Sequence, residues 1–309
     1  MDISILITQM QVFAAMIVAG VFMQRTGIIR HESINGMGNV LTGFIIPCQM
    51  LTMMPNGGSS AEVFRSANIV ICSFGYILGM VFISIIVSRF IGIKDKAHRN
   101  MHALISACGN AGFIGSPLAM MMYPAETVAN AIYVIVEAFT CWTIGPLLAD
   151  PKTEFRISSL KRLVSPIIVS LLIGFALTLL NIHPAGFVPW DALTAVGATS
   201  KYLSTFYIGL KVGEIGFLKL IEEKRIVIAS AFKLVIFPVL LYLVIGRTDF
   251  LTPGQLGVIM LMACTPTPIS APLIAQLTNG DTDYAMAGTL INTILCIFTI
   301  PMVMKLIGI

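Results

Sequence analysis

Long apolar runs, separated by short polar, glycine or proline-containing connections, fill the chain from end to end. A run of about 20 apolar residues can cross the hydrocarbon core of a bilayer as a helix. The runs predict ten such spans, at 3–23, 33–54, 67–88, 100–122, 127–148, 160–180, 189–210, 226–245, 254–276 and 284–307. No weak alternating pattern typical of a membrane barrel is present. The sequence therefore predicts an all-α polytopic membrane protein.

Composition strengthens this interpretation. Of the 309 residues, 57% are hydrophobic and 11% are charged, whereas soluble domains carry roughly a quarter charged residues. Ten spans leave only short connections, so no sizeable soluble domain is expected. The net charge of +4 is scattered through loops rather than clustered, which argues against a nucleic-acid partner.

Basic residues predict the orientation of the spans. The connections after the odd-numbered spans hold 14 of the 19 lysines and arginines, whereas the opposite side holds Arg65, Arg247 and Lys305. Loops rich in lysine and arginine are retained in the cytoplasm. We expect a multi-pass protein of the inner cell membrane, with both termini outside the cytoplasm.

Motifs for bound cofactors are missing from the sequence. The six cysteines lie in apolar segments without Cys-x-x-Cys or Cys/His spacing, so neither a disulfide framework nor a metal site is expected. No Walker phosphate-binding loop occurs, so we do not expect ATP to drive the protein directly. No cofactor is predicted.

Two spans are interrupted by glycine and proline at matching places. The fourth contains the segment from Cys108 to Pro117, and the ninth contains the segment from Cys264 to Pro272. A shift of 155 residues pairs Pro117 with Pro272, Pro146 with Pro301, and Glu137 with Asn292. With five helices in each half, this predicts two inverted repeats, residues 1–155 and 156–309.

These two spans should unwind near mid-depth, because proline removes a helical hydrogen bond and glycine weakens a helix. Irregular backbone at that depth must be buried in protein or line a watery cavity. The free N–H groups of the half-helices would suit an anionic substrate. The alternative is that the prolines only kink packed helices, although three prolines between Pro266 and Pro272 favour a break.

The interrupted fourth span also carries a family motif. Its segment Gly109-Asn-Ala-Gly-Phe-Ile-Gly-Ser-Pro117 resembles the Asn-x-Gly-Phe-x-Gly-x-Pro segment of the auxin efflux carriers and their prokaryotic malate/malonate-permease-like relatives. Ile46-Pro47, Phe206-Tyr-Ile-Gly-Leu210, Lys233-Leu-Val-Ile-Phe-Pro238 and the proline-rich ninth span are also similar. The resemblance covers the whole chain.

The resemblance implies a fold and a class of substrate. It implies ten helices in two inverted five-helix repeats, as in the bile acid/sodium symporter superfamily, divided into a scaffold and a transport domain. The substrate would bind where the broken helices 4 and 9 cross, and a homodimer through the scaffold would fit the family. Plant members carry auxin, a monocarboxylate, while prokaryotic relatives are associated with malate and malonate.

Three charged residues fall inside predicted spans, where each costs at least about 2.5 kcal/mol and is a functional candidate. Lys201 is a candidate countercharge for a substrate carboxylate, helped by Asn110, Thr265 and Thr267; alternatively it snorkels to an interface or pairs with Glu137. Glu137 is a candidate proton-coupling group or a helix contact. Lys233 is interpreted as structural, or as a second countercharge.

The predicted function is secondary transport of small organic anions by alternating access, with proton or sodium coupling and the direction of transport left open. The substrate-binding candidates are Gln49, Asn110, Gly112, Gly115, Pro117, Lys201, Thr265, Pro266, Thr267, Pro268 and Pro272.

Three rival functions compete with this prediction. A cation/proton exchanger would need paired acids at the crossing, but Asp281 and Asp283 fall in the following loop. An intramembrane enzyme is disfavoured because the four histidines lie in loops or at span ends. A channel stays open as an alternative.

Overall fold

A computed structural model describes residues 3–149, 166–215, 224–278 and 280–309. Helices make up 84% of the structure, and the described residues form no strand. The predicted all-α class is confirmed. Residues 160–165 of the sixth predicted span lie outside the described residues.

The first half of the chain forms helices α1 to α8: α1 (Ile3–Arg25), α2 (His31–Val40), α3 (Ile46–Gly57), α4 (Ser60–Arg65), α5 (Ala67–Phe90), α6 (Lys96–Ala107), α7 (Ser116–Met122) and α8 (Thr127–Ala149). The second half forms α9 to α16: α9 (Pro166–Leu179), α10 (Val188–Ala198), α11 (Ser200–Ile215), α12 (Lys224–Ala231), α13 (Phe237–Ile245), α14 (Pro253–Ala263), α15 (Ser270–Leu277) and α16 (Thr282–Leu306). Helical residues occur in every predicted span. Among the described residues, seven helical segments are long and apolar enough to cross a membrane; ten crossings and an inverted repeat stay predictions.

Single prolines and paired interruptions behave differently. Pro47 and Pro238 each follow a π-helical turn, Leu41–Ile45 and Phe232–Ile236 respectively, and the helix continues through them. A π turn changes the hydrogen-bond register, which accommodates a residue that lacks an N–H. The Gly/Pro-rich segments after α6 and α14 instead leave non-helical backbone in the middle of a span.

One group of helices packs through very close backbone contacts. In this scaffold group, α1 runs along α11, and α3 packs on α9 and α10. A side chain at Gly20 would collide with the carbonyl oxygen of Phe206, and one at Gly209 with the backbone of Ile17. Small residues at such positions let membrane helices approach closely.

The remaining helices form a second group around the two interrupted spans. In this broken-helix group, α5, α6 and α8 pack on one another, and α12 and α15 pack on α16. Helix α14 lies in its interior, because Val258 to Ala263 are all completely buried. The two groups meet where α8 contacts α3, α16 contacts α1, and the π turn Ala111–Gly115 contacts α11. The candidate site lies along this interface.

Candidate functional site

The first break separates α6 from the π turn that leads into α7. Cys108, Gly109 and Asn110 are not helical, and the Asn110 side chain accepts a hydrogen bond from the Phe113 N–H at 3.3 Å. Gly109 has no room for a side chain: a methyl group there would collide with the Thr265 hydroxyl and lie 2.8 Å from Glu137 Oε1. The glycine is therefore required by the close approach of its neighbours.

The second break covers residues 264–269 between α14 and α15. Thr267 is its central polar contact: its hydroxyl donates to the Ile105 carbonyl at 2.5 Å and accepts from Asn292 Nδ2 at 2.6 Å. Ile105 belongs to the last turn of α6, so Thr267 connects the second break to the first broken helix. The Thr265 hydroxyl donates to the Met262 carbonyl at 2.6 Å.

The free N–H groups of the first break are occupied by the carboxylate of Glu137, which comes from α8. Its Oε1 accepts from the Gly109 N–H at 2.5 Å, and its Oε2 accepts from the Ala111 N–H at 3.0 Å. The start of a helix leaves such groups without a partner and carries partial positive charge. A group of the protein itself thus occupies the place that the sequence suggested for an external anion.

The opposite end of the same break faces a cation. Lys233 is completely buried, and its Nζ donates to the carbonyl of Ala107, the last residue of α6, across a long 3.5 Å. A methyl group at Gly109 would lie 3.3 Å from this Nζ. Glu137 and Lys233 therefore flank Gly109, and each complements the helix end that it contacts. Both charges have polar partners, as buried charges require.

A first cavity, which we call the Lys201 cavity, has a volume of about 250 Å³ and lies between α3, α7, α10 and α11. The described residues that line it include no acid. Lys201 Nζ lies 3.8 Å from Met121 Sδ and 4.8 Å from the centre of the Tyr202 ring. Gln49 Oε1 accepts from the Ser200 hydroxyl at 2.5 Å, which leaves the amide N–H donors of Gln49 without a partner among the described residues.

A second cavity, which we call the Glu137 cavity, has a volume of about 340 Å³. It is lined by the first break and Glu137, by the second break from Pro268, and by the start of α9 and the π turn after α2. Asn110 is 2% exposed, and its Nδ2 has no hydrogen-bond partner among the described residues. A buried donor without a partner is costly, so an unpaired amide at a cavity wall points to a ligand or water.

The predicted site residues do not converge on a single cavity. Gln49, Pro117 and Lys201 line the Lys201 cavity, while Asn110, Gly112, Pro268 and Glu137 line the Glu137 cavity. Gly115, Lys233, Thr265, Pro266, Thr267 and Pro272 are buried and line neither cavity.

Lys201 is consequently not in one cavity with its predicted helpers Asn110, Thr265 and Thr267. It follows a new helix start at Ser200, after an interruption at Thr199. The apolar pattern of the span does not indicate the direction of a side chain beyond such an interruption.

Several polar contacts of the site were missing from the sequence-based candidates. Asn292 binds Thr267, and the 155-residue shift that pairs it with Glu137 could have identified it. Ser200 orients Gln49, and Ser270 and Thr42 line the Glu137 cavity. Isolated serines and threonines in apolar spans carry no sequence signal that separates cavity positions from helix contacts, because most bond to their own backbone.

A helical bundle with two interrupted helices and a polar break in its interior is an arrangement that recurs in multi-pass membrane transporters. Residues 4–159 match the family model described as membrane transport protein, and residues 202–308 match that of the sodium bile acid symporter family. The chain belongs to the membrane transport protein family, since the first match covers half of it. The resemblance to the auxin efflux carriers is thereby confirmed.

One curated relative agrees with this assignment. An uncharacterized transporter of Methanocaldococcus jannaschii is 24% identical over 119 residues. The match covers 38% of this chain and 38% of the length of that relative.

Proposed function

We propose that this protein is a secondary active transporter of small organic anions, such as mono- or dicarboxylates, that works by alternating access. The observation that carries the proposal is the placement of the two cavities. Both lie between the scaffold group and the broken-helix group, and both border the first broken helix, at Pro117 in one case and at Gly109 to Gly112 in the other.

The cavities also lie toward opposite ends of the bundle. The Lys201 cavity includes Asn56 and Met121, which are next to the ends of α3 and α7. The Glu137 cavity includes Pro166, where α9 begins at the other end. In the predicted orientation the first would face outside and the second the cytoplasm.

A polar contact joins the two groups beside the Lys201 cavity, which Met53 lines. Met53 Sδ of α3 accepts hydrogen bonds from the Ser116 hydroxyl at 3.2 Å and from Asn130 Nδ2 at 3.5 Å. Sliding of the broken-helix group past the scaffold group would break these contacts, closing one cavity while widening the other. This is the rigid-body movement expected of transporters with a central broken-helix site.

The chemistry of the Lys201 cavity supports an anionic substrate. A lysine and an amide donor face a space that has no acidic lining residue among the described positions. Its volume of about 250 Å³ lies just below the roughly 300 Å³ at which pockets for drug-sized ligands begin. A small carboxylate fits both the charge and the size.

Counterflow in liposomes tests the proposal. Purified protein would be reconstituted into vesicles loaded with unlabelled malonate or malate, and entry of the labelled compound would be followed. A carrier gives transient, saturable accumulation that depends on the internal substrate. Flux that neither saturates nor depends on internal substrate would indicate a channel. Sodium or proton exchange without any carboxylate counterflow would indicate a cation/proton exchanger.

A further inference from the structure

The first break binds a carboxylate that belongs to the protein itself. Glu137 presents one oxygen to the Gly109 N–H and the other to the Ala111 N–H, at 2.5 and 3.0 Å. These atoms also border the Glu137 cavity, so a ligand in that cavity is next to both the carboxylate and its donors. The break is therefore a formed carboxylate-binding site with an internal occupant.

A third hydrogen-bond donor at this site is not used by Glu137. Asn110 lies between the two N–H groups in sequence and lines the same cavity, and its buried Nδ2 has no partner in the part of the chain that the structure describes. Glu137 uses only two of the three available donors. A free carboxylate of a substrate, which is not tethered to α8, could reach all three.

Charge balance restricts how such a substrate can enter. Lys233 is the cation next to Glu137 at the break. Among the described residues, the other titratable groups around Glu137 are thiols and phenols, which are neutral near pH 7. They are Tyr76 of α5, Tyr133 of α8 and Cys108 of the first break. Cys264 of the second break interacts electrostatically with Tyr76 and Lys233. A second carboxylate would leave two negative charges against one buried lysine, which is strongly unfavourable.

We propose that a substrate carboxylate replaces the carboxylate of Glu137 at the Gly109 and Ala111 N–H groups, and that Glu137 takes up one proton, released by the acid form of the buffer, as it leaves. This inference rests on the proposed carrier function. The proton bonds to a Glu137 oxygen, and one carboxylate group of the substrate accepts hydrogen bonds from the two freed N–H groups. The break therefore still holds one negative charge beside Lys233. One proton accompanies each substrate molecule bound at the break.

The second break cannot make this exchange. The position that the 155-residue shift pairs with Glu137 is Asn292, whose amide binds the Thr267 hydroxyl at 2.6 Å. An amide has no proton equilibrium near neutral pH. The exchange proposed for Glu137 therefore has no counterpart at Asn292.

Calorimetry of the purified protein measures the proposed proton directly. Malonate binding would be titrated at one pH in several buffers with different ionisation enthalpies, and the slope of the observed enthalpy against the buffer enthalpy gives the number of protons taken up. We expect about one proton per bound malonate. Glu137→Gln should bind malonate with a slope near zero. Glu126→Gln, which removes a carboxylate elsewhere in the chain, should keep the wild-type slope.

A second variant guards against misfolding of Glu137→Gln. Glu137→Ala vacates the two N–H groups, so added acetate or formate should raise its melting temperature more than that of wild type or of Glu126→Ala. Malonate binding without proton uptake by the wild-type protein, or the absence of acetate stabilisation in a folded Glu137→Ala, would overturn the inference and leave the carrier function standing. Failure of wild-type protein to bind or exchange any carboxylate would instead overturn the proposed function.

Discussion

The two cavities differ in how their charges are compensated. In the Lys201 cavity the contacts of the ammonium group among the described residues are a thioether and an aromatic ring. In the Glu137 cavity both carboxylate oxygens are hydrogen-bonded, and Lys233 lies on the other side of Gly109. One region therefore presents an uncompensated positive charge, while the other holds a balanced pair.

This difference assigns the attraction of an anion to one cavity and the proposed coupling to a proton to the other. An anion is drawn to the Lys201 cavity by its field without any chemical change in the protein. In the Glu137 cavity we expect the same anion to gain little binding free energy until the carboxylate of Glu137 is neutralised. In the proposed mechanism, the same substrate is captured by electrostatics in one cavity and linked to a proton in the other.

The largest effect is expected from filling the space between the two charges of the balanced pair. Gly109→Ala should abolish counterflow and lower the melting temperature, because the methyl group collides with Thr265 and Glu137 and overpacking typically costs about 1–3 kcal/mol. Gly75→Ala in α5 is the control, since Gly75 lines neither cavity and nothing lies within 4 Å of the added methyl. Thermal melting and liposome counterflow would be measured together. Normal transport by Gly109→Ala would show that the two charges do not depend on this geometry.

Removing the uncompensated charge should weaken substrate capture. Lys201→Met is expected to raise the KM for malonate by about tenfold or more, because a hydrogen bond to a charged group contributes roughly 1.5–3 kcal/mol and 1.4 kcal/mol corresponds to tenfold. Lys201→Arg should retain most of the affinity, and Lys305→Met, at an exposed lysine of α16, should have no effect. Initial rates of uptake at graded malonate concentrations give the KM. An unchanged KM in Lys201→Met would show that the charge of Lys201 does not attract the substrate.

The charge preference of each cavity can be compared with thiol reagents of opposite sign. Two variants that each keep a single cysteine are needed. Thr194→Cys reports on the Lys201 cavity, and native Cys141 reports on the Glu137 cavity. The modification rate of each reagent is divided by its rate with a free thiol. On this scale the anionic methanethiosulfonate should react several-fold faster than the cationic one at position 194, and Lys201→Met should abolish this preference. No preference for the anion is expected at Cys141. Equal preferences in the two cavities would contradict the comparison.

The smallest effect concerns the orientation of Gln49. Ser200→Ala removes the hydroxyl that holds Gln49 Oε1, so a rise of a few-fold in KM is expected from the loss of about 0.5–1.5 kcal/mol. Thr199→Ala removes a neighbouring hydroxyl that is exposed and bonded only to its own helix, and it should leave the KM unchanged. Equal effects of the two variants would assign the change to helix stability instead of Gln49.

Features that depend on local sequence were predictable. The apolar runs indicated the helices, because the period and length of a membrane span are properties of one segment. Gly109, Pro266 and Pro268 marked the two breaks, since lost helical hydrogen bonds are a local consequence of residue type. Glu137, Lys201 and Lys233 stood out because a charge within an apolar run is rare.

Only the tertiary structure decided what these residues meet. Glu137 binds N–H groups 26 and 28 residues away, and Lys233 reaches a carbonyl 126 residues away. Local sequence was enough to predict the helices, the interruptions and the charges inside spans, whereas packing selected the partner of each charge and assigned Lys201 to a different cavity. The physical reason is that a helix break leaves polar groups unsatisfied wherever it occurs, but the side chain that satisfies them is selected by which helices pack together.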